Sequence, residues 1–513
     1  NGGGNPYLFN TNSSLNPLPG LTSYSDINII GSAGNDYIAL GVDRSTTFTG
    51  SWDISMGAGN DVLGGSEFQN SDRVDMGSGT DYVQFAANNL TNLNLSLLSG
   101  GTGSDWLLFH PTTNTNGVPG ADVLTLDEAG ATNFENIQGT INSEIIQGDG
   151  NANILAGDVA GDDTLYGYGG NDYLFGQSGE SLSSISGLVA AAAQWNYASN
   201  DTLYGGSGDD ILYGGLGDDI MDGGTGTDTM TGGGGNDTFV VRSGDGNTNL
   251  SLADAITDFT DGEDVISFDG SSQPLTIEQG TGLNINHVLI KITSTAEYLT
   301  VLLNTLVSAI TGADISSTST ESQTLNGTSG NDVIVGAAGI DTISGGAGSD
   351  EVYGHGGDDQ FTISGKSGNF TDLVSGGPGT DAVIINYSGI TNLGSFASFY
   401  EDSSTGYLTL VDSSGATIKL SSIESLTVGS VAYTRITDDE PHADNSGYGP
   451  SKGNLEQAYF NATEAVLYLY NVGTTGAVLG AFNYDVDNGN TGNSHLFSTS
   501  NNNNDGLIDY GFS

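Results

Sequence analysis

Cysteine is absent from the 513 residues, which excludes disulfide staples, thiolate metal centres and cysteine nucleophiles. Basic residues are nearly as scarce, with eight Lys plus Arg against 62 Asp plus Glu and a formal net charge of −54. A nucleic acid would meet repulsion along the whole chain, so it is excluded as a direct partner, as is an anionic membrane surface, unless a cation bridges the two. The histidines, His110, His287, His355, His442 and His495, stand isolated from one another. HExxH, a GxSxG elbow and a Walker loop are all missing, so the chain lacks the residues of the common metalloprotease, hydrolase and NTPase mechanisms and reads as no enzyme. Long apolar runs are missing too. The longest, residues 298–310 (YLTVLLNTLVSAI), is too short to span a bilayer and predicts a core helix or a strand pair, leaving no transmembrane segment.

Glycine, with 81 residues, is what the chain has in excess. Four nine-residue units run unbroken through residues 205–240: GGSGDDILY, GGLGDDIMD, GGTGTDTMT and GGGGNDTFV. Glycines at the first, second and fourth places allow a tight turn with positive φ, leaving carbonyls free to converge. Aspartate at the sixth place adds a hard anionic oxygen. Ca²⁺ takes six to eight such oxygens in flexible geometry, whereas Zn²⁺ would call for Cys or His. The last places, as in Asp210, Ile211, Leu212 and Tyr213, predict a short strand with its aliphatic residue inward. A flexible glycine linker would have no reason to phase aspartate with aliphatics.

These GGxGxDxUx units resemble the RTX calcium-binding family, whose fold is a parallel β-roll. The resemblance implies an all-β chain: a parallel β-helix or β-roll solenoid with calcium-binding turns, in at least two arrays with capping β segments. It also implies that two units make one coil, so that Asp201, Asp219 and Asp237 lie on one edge and Asp210 and Asp228 on the other. Upstream, the array begins near residue 156, with Asp163 in a unit one residue too long and Asp172 in a regular one. The unit that ends with Asp201 is split by an insert, residues 180–199, containing a run of alanines and Trp195. A short helix or a compact loop fits that composition, as a contact surface or a tolerated insertion. A second array, residues 327–384, offers Asp332, Asp341, Asp350 and Asp359, then Asp372 after a two-residue insertion, and Asp381. The alternation puts Asp332, Asp350 and Asp372 on one edge and Asp341, Asp359 and Asp381 on the other.

Residues 25–155 carry the same turn at wider spacing, with Asp36, Asp61, Asp81 and Asp105 as candidate ligands. An irregular β-helix is expected there, with one calcium turn per circuit, all on one side. Residues 134–148 look like the lead-in that precedes RTX arrays, and in the following unit Asn153 replaces the aspartate, which puts an ion there in doubt. Residues 241–326, including DAITDFTDGEDVISF, and residues 385–435 resemble the strands that cap such arrays. His355 holds the second place of a turn and is expected to face solvent. Residues 1–24 read as an extended arm or a disordered leader. Residues 436–513, rich in Asn and aromatics, read as strands serving as a cap or as an assembly surface.

Self-repulsion at −54 opposes compaction, so the arrays are expected to be disordered without calcium. At about one ion for each of the seventeen aspartates, the bound charge is on the order of +34, and metal binding is largely folding free energy. Extracellular calcium modules bind at about 10⁻⁴ to 10⁻³ M, so the cytosol would leave the chain unfolded and exportable. RTX proteins commonly leave by type I secretion in this state, and residues 505–513 are compatible with its C-terminal signal. Composition and the missing enzyme motifs resemble bacterial RTX surface-layer proteins. A secreted structural protein is therefore expected, self-assembling with copies of itself at the cell surface of a bacterium, with surface polysaccharide as a further partner. The alternatives are an adhesin, a calcium-dependent binding or secretion module of a larger exoprotein, and, last, a polysaccharide-acting enzyme.

Overall fold

The computed structural model describes residues 27–40, 51–65, 71–86, 96–110, 122–126, 131–158, 160–178, 198–269, 275–311, 314–317, 320, 322–401, 405 and 407–437. It also describes five strands beyond residue 437: Gln457–Asn461, Val466–Tyr470, Val478–Asp485, Ser494–Leu496 and Gly511–Phe512. The N-terminal arm and nearly all of the 180–199 insert lie outside the described residues. Among the described residues there is no α-helix, only strands and 3₁₀ turns. The protein is all-β, with most strands in parallel register.

Two compact units make up the chain, residues 1–266 with 298–305, and residues 267–297 with 306–513. In the first, the nine-residue period becomes half of a solenoid circuit. Leu203 pairs with Met221 and Met221 with Phe239 in one sheet, while Leu212 pairs with Met230 in the other, each parallel and eighteen residues on. Each strand is short because the glycine turn ends it. The residue after the aspartate faces outward and the next one inward, so Ile211 is 37% exposed and Leu212 fully buried. Leu165, Leu203, Met221 and Phe239 stack in one inward row, and Leu155, Leu174, Leu212 and Met230 in the other, all 0% exposed. Each such side chain contributes about 1.5–3 kcal/mol, but only against the circuits on either side of it.

Before residue 150 the circuits lengthen but the register persists. Tyr37 pairs with Val62, Val62 with Tyr82, Tyr82 with Trp106 and Trp106 with Asn136, in the same sheet that later carries Leu174 and Leu212. A further short sheet, Ile27–Ile30, Trp52–Ser55, Arg73–Asp75 and Leu98–Ser99, runs into each turn and buries Ile54, Val74 and Leu98. At the far end of the unit, Asp254–Ile256 continues one sheet and pairs with Thr300–Leu302. The apolar run 298–310 is therefore neither a helix nor a strand pair. It is one strand, Glu297–Leu302, followed by the 3₁₀ turn Val307–Ala309.

In the second unit, Thr324–Asn326, Thr342–Ser344, Gln360–Ser364, Ala382–Asn386 and Ser425–Val428 form one parallel row, and Val333–Val335, Glu351–Tyr353, Thr371–Ser375 and Thr417–Ser421 another. Glu351 pairs with Leu373, twenty-two residues on, where Val333 to Glu351 is eighteen. The insertion before Asp372 is thus four residues (22 − 18), not two. Both rows then turn antiparallel. Ser398–Glu401, Leu408–Val411 and Thr417–Ser421 make one meander; Ser425–Val428, Val431–Thr437 and the five later strands make the other. Antiparallel hairpins at the end of a parallel stack cover the last apolar layer, here Leu410, Ile418, Leu426 and Tyr433.

Candidate metal centre

The turn is built from its glycines. At Gly208 φ is +136°, and an added Cβ would lie 1.5 Å from the Gly170 carbonyl oxygen of the preceding circuit, so neither the conformation nor the space admits a side chain. The first glycine is needed for room alone. A Cβ on Gly205 would lie 2.5 Å from Asp210 Oδ2 and 2.6 Å from the Gly223 carbonyl oxygen one circuit on. Two hard oxygens of adjacent circuits therefore face one point, which the missing side chain keeps open.

The sixth-place aspartates form continuous ladders. In the first unit the N–H of Asp163 donates to Asp201 Oδ1, Asp201 to Asp219 and Asp219 to Asp237, at 2.8, 2.8 and 3.0 Å. On the other edge Asp172 donates to Asp210 and Asp210 to Asp228, both at 2.7 Å. The wide turns join likewise: Asp36 to Asp61, Asp61 to Asp81 and Asp81 to Asp105, at 2.7–2.9 Å. In the second unit Asp332 donates to Asp350 and Asp350 to Asp372, while Asp341 donates to Asp359 and Asp359 to Asp381. The edges alternate as the repeat requires.

Apart from the Asp332–Asp350–Asp372 ladder, the ladders extend past the regular repeats through residues that the GGxG frame does not mark. Glu135 accepts from Asp105, Asp254 from Asp228, Asp264 from Asp237 and Glu424 from Asp381. Glu144, Asn153 and Gln323 start ladders by donating to Asp163, Asp172 and Asp341. All share one signal with the regular turns. An acid or amide stands two places before an inward aliphatic, as in Asp254-Ala255-Ile256, Asp264-Val265-Ile266 and Glu424-Ser425-Leu426. A second, exposed ladder runs through the fifth places: Asp218 donates to Asn200 Oδ1 at 2.9 Å and Asn236 to Asp218 Oδ1 at 2.8 Å.

The second carboxylate oxygen decides what the turns can hold. In Asp61, Asp81, Asp105, Asp163, Asp172, Asp210, Asp219, Asp228, Asp359 and Asp381, Oδ2 is buried with no hydrogen-bond partner. In all ten the second residue of the turn has positive φ, usually a glycine, but also Asp158, Tyr168 and His355. Where that residue is ordinary the turn closes on itself. The N–H of Ser32 donates to Asp36 Oδ2, Thr328 to Asp332 and Ala337 to Asp341, at 2.5–2.6 Å. Asp201 Oδ2 accepts from Ser199 Oγ at 3.1 Å, and Asp350 and Asp372 both accept from Lys366. Asp237 is buried on the ladder of Asp201 and Asp219. His355 is not a solvent-facing residue. It is half-buried at φ +66°, its Nε2 is 3.0 Å from the Ile315 carbonyl oxygen, and burial lowers its pKa.

A buried carboxylate without a cation is costly in its charged form. Burial pushes Asp163 and Asp219 up to about 9 and Asp105, Asp172, Asp228 and Asp359 up to about 7, with neighbouring ladder carboxylates adding to the effect. Each ladder hydrogen bond to a carboxylate returns about 1.5–3 kcal/mol, too little against the several kcal/mol that an uncompensated buried ion costs. A divalent cation reverses that balance. Among the described residues no three Asp, Glu or His side chains converge on a point, so an ion would be held by the orphaned Oδ2 together with backbone carbonyls. That all-oxygen donor set suits Ca²⁺.

The RTX calcium-binding nonapeptide repeat matches in four copies, over residues 147–181, 196–230, 214–247 and 326–361. No curated protein matches the chain. Among solved structures, the chain is similar to the solution structure of the AlgE6R3 subunit of a mannuronan C5-epimerase from Azotobacter vinelandii, at 21% identity over 40% of this chain and 84% of that one, with a TM-score of 0.15. The chain thus carries RTX calcium-binding repeats on a parallel β-roll. The turns at Asp36, Asp61, Asp81, Asp105, Asp372 and Asp381 lie outside the matched residues; Asp372 and Asp381 are joined to matched turns by their ladders, and the other four form a ladder of the same kind that ends at Glu135.

Proposed function

We propose that this protein is a secreted, calcium-dependent structural protein that assembles with copies of itself at a bacterial cell surface, as a lattice or a filament. The observation that carries the reading is the set of buried carboxylate ladders whose second oxygens lack partners. Such a fold is held by the metal of its surroundings, and a chain of this charge is kept open where calcium is scarce. RTX repeat proteins are typically secreted, and no helix among the described residues is long and apolar enough to cross a membrane. Most of the described chain is solenoid and its antiparallel ends, and the strands beyond residue 437 add edges through which copies pair. Electron microscopy of the chain dialysed from chelator into millimolar calcium tests the proposal. Ordered sheets or filaments that dissolve in chelator support it; monodisperse folded particles contradict it.

One observation favours a second reading, a glycan-binding adhesin or module. Tyr166 and Tyr204 stack across adjacent strands with ring centroids 4.9 Å apart and planes 7° apart, and Tyr168, 53% exposed, stacks on Tyr166 at 5.9 Å. A row of parallel rings, half-buried at Tyr166 and Tyr204 and exposed at Tyr168, offers sugars a platform. Monodisperse particles that bind surface polysaccharide, and lose it on Tyr168→Ala, would establish this reading instead.

A further inference from the structure

Lys366 is one of eight basic residues in the chain, and its side chain is 1% exposed. It sits in the four-residue extension that lengthens one circuit of the second unit, between Gly365 and Gly368, whose φ values are +69° and +74°. That extension turns its side chain inward. Nζ lies 2.6 Å from Asp350 Oδ2 and 2.9 Å from Asp372 Oδ1, and donates to the Gly348 carbonyl oxygen at 3.0 Å. The Phe370 ring lies 5.2 Å from the ammonium and shields it from water.

The oxygens it gathers are of the kind that the other turns leave for a divalent ion: ladder carboxylates of two successive circuits and a turn carbonyl. Gly346, in the second place of the Asp350 turn, has positive φ (+86°), the conformation found in all ten turns whose Oδ2 is orphaned. Here the oxygen is not orphaned, because the chain supplies the charge. The opposite edge of the same circuits shows the contrast. Asp359 and Asp381 are equally buried, and Oδ2 of both lacks a partner.

We propose that Lys366 is a tethered cation standing in place of calcium between Asp350 and Asp372. This edge of the second array then closes without metal and templates the metal-dependent edge beside it. A tethered ammonium is present at fixed local concentration whatever the calcium level, so the ordering of this circuit does not wait for export. The proposal rests on the reading of the orphaned carboxylates as calcium sites.

The test uses the full chain and calcium alone as the probe. Equilibrium dialysis counts ions in the wild type and in Lys366→Met, in which the side chain keeps its bulk and loses its charge. The expected result is one more ion in the variant. Equal, non-zero counts would overturn the role of Lys366, whereas a wild type that binds no calcium would overturn the calcium reading itself. Hydrogen exchange in chelator gives a second readout. Wild-type amides at 351–353 and 371–375 are expected to exchange at least about tenfold more slowly than those at 360–364, and to lose that protection in the variant. Equal rates on both edges of the wild type would contradict the proposal. If Lys366→Met does not fold, amine acylation of the wild type in saturating calcium decides. Lys366 is expected to react at least about tenfold more slowly than the half-exposed Lys419. Equal reactivity would mean that calcium displaces the ammonium and would overturn the proposal.

Discussion

The backbone N–H of Asp219 donates to Oδ1 of Asp237, 3.0 Å away and one circuit on, while Oδ2 of Asp219 is buried without a partner. Asp219 Oδ1 in turn accepts from the Asp201 N–H and holds the register of the solenoid, while under the calcium proposal Oδ2 would be a ligand. Substitutions separate the two roles. Asp219→Ala leaves the Asp201 N–H without its acceptor, at a cost of about 1–3 kcal/mol, and removes a ligand. Asp219→Asn keeps an acceptor and removes the buried charge. The alanine variant is expected to need more calcium to fold than the wild type. The asparagine variant is expected to be more ordered than the wild type in chelator yet to bind fewer ions. Circular dichroism during calcium titration reads both.

Protonation should imitate part of the metal's effect. Asp163 and Asp219, with folded values near 9 against an ordinary 3.8, keep their protons in the folded state while the unfolded chain loses them. Below about pH 4 both states are protonated and the ladders impose no penalty. As pH rises towards 9 the unfolded state ionises first, so the stability of the metal-free fold declines throughout that window. The chelated chain is expected to gain β-structure on acidification and to lose it again at neutral pH. Calcium binding near pH 7 should release protons, measurable by calorimetry in buffers of different ionisation enthalpy. Calcium uptake with no proton release would contradict the raised values.

The second place of the turn should set whether a turn takes metal. Ala337 has ordinary φ and its N–H caps Asp341 Oδ2 at 2.6 Å. Ala337→Gly permits the positive φ seen at Gly206 (+108°) and Gly224 (+89°), frees the carboxylate and is expected to add one bound ion by equilibrium dialysis. An unchanged count would show that the cap persists without the side chain.

Steric demand separates the glycines. Gly208→Ala would put a methyl group 1.5 Å from the Gly170 carbonyl oxygen at φ +136°, whereas Gly262, at φ +78°, has nothing within 4 Å of its added Cβ. In saturating calcium, Gly262→Ala is expected to cost about 1 kcal/mol and Gly208→Ala about 3 kcal/mol or more. Urea unfolding measures both.

Much of this was legible in the sequence because the nine-residue period fixes three things together: the glycine turn, the aspartate at its end and the inward aliphatic two places later. Asp201, Asp219 and Asp237, and Asp341, Asp359 and Asp381, fall on their edges for that reason. Glu135, Asp254, Asp264 and Glu424 were not legible through glycine spacing, since their turns are built differently, and the acid-x-aliphatic triplet is the signal that marks them. Residues 298–310 misled because unbroken apolarity does not separate a buried strand from a helix. Lys366 was invisible because a lone lysine in a glycine-rich turn normally faces water; only the four-residue extension brings it inside.

The most direct measurement is calcium counted by dialysis alongside far-ultraviolet circular dichroism across a chelator-to-millimolar titration at pH 7.5. Parallel β-structure rising in step with bound calcium, at about 10⁻⁴ to 10⁻³ M, reversed by chelator and not reproduced by magnesium, is the expected result. Full β-structure in chelator with no calcium bound would contradict a fold held together through the orphaned oxygens of its aspartate ladders.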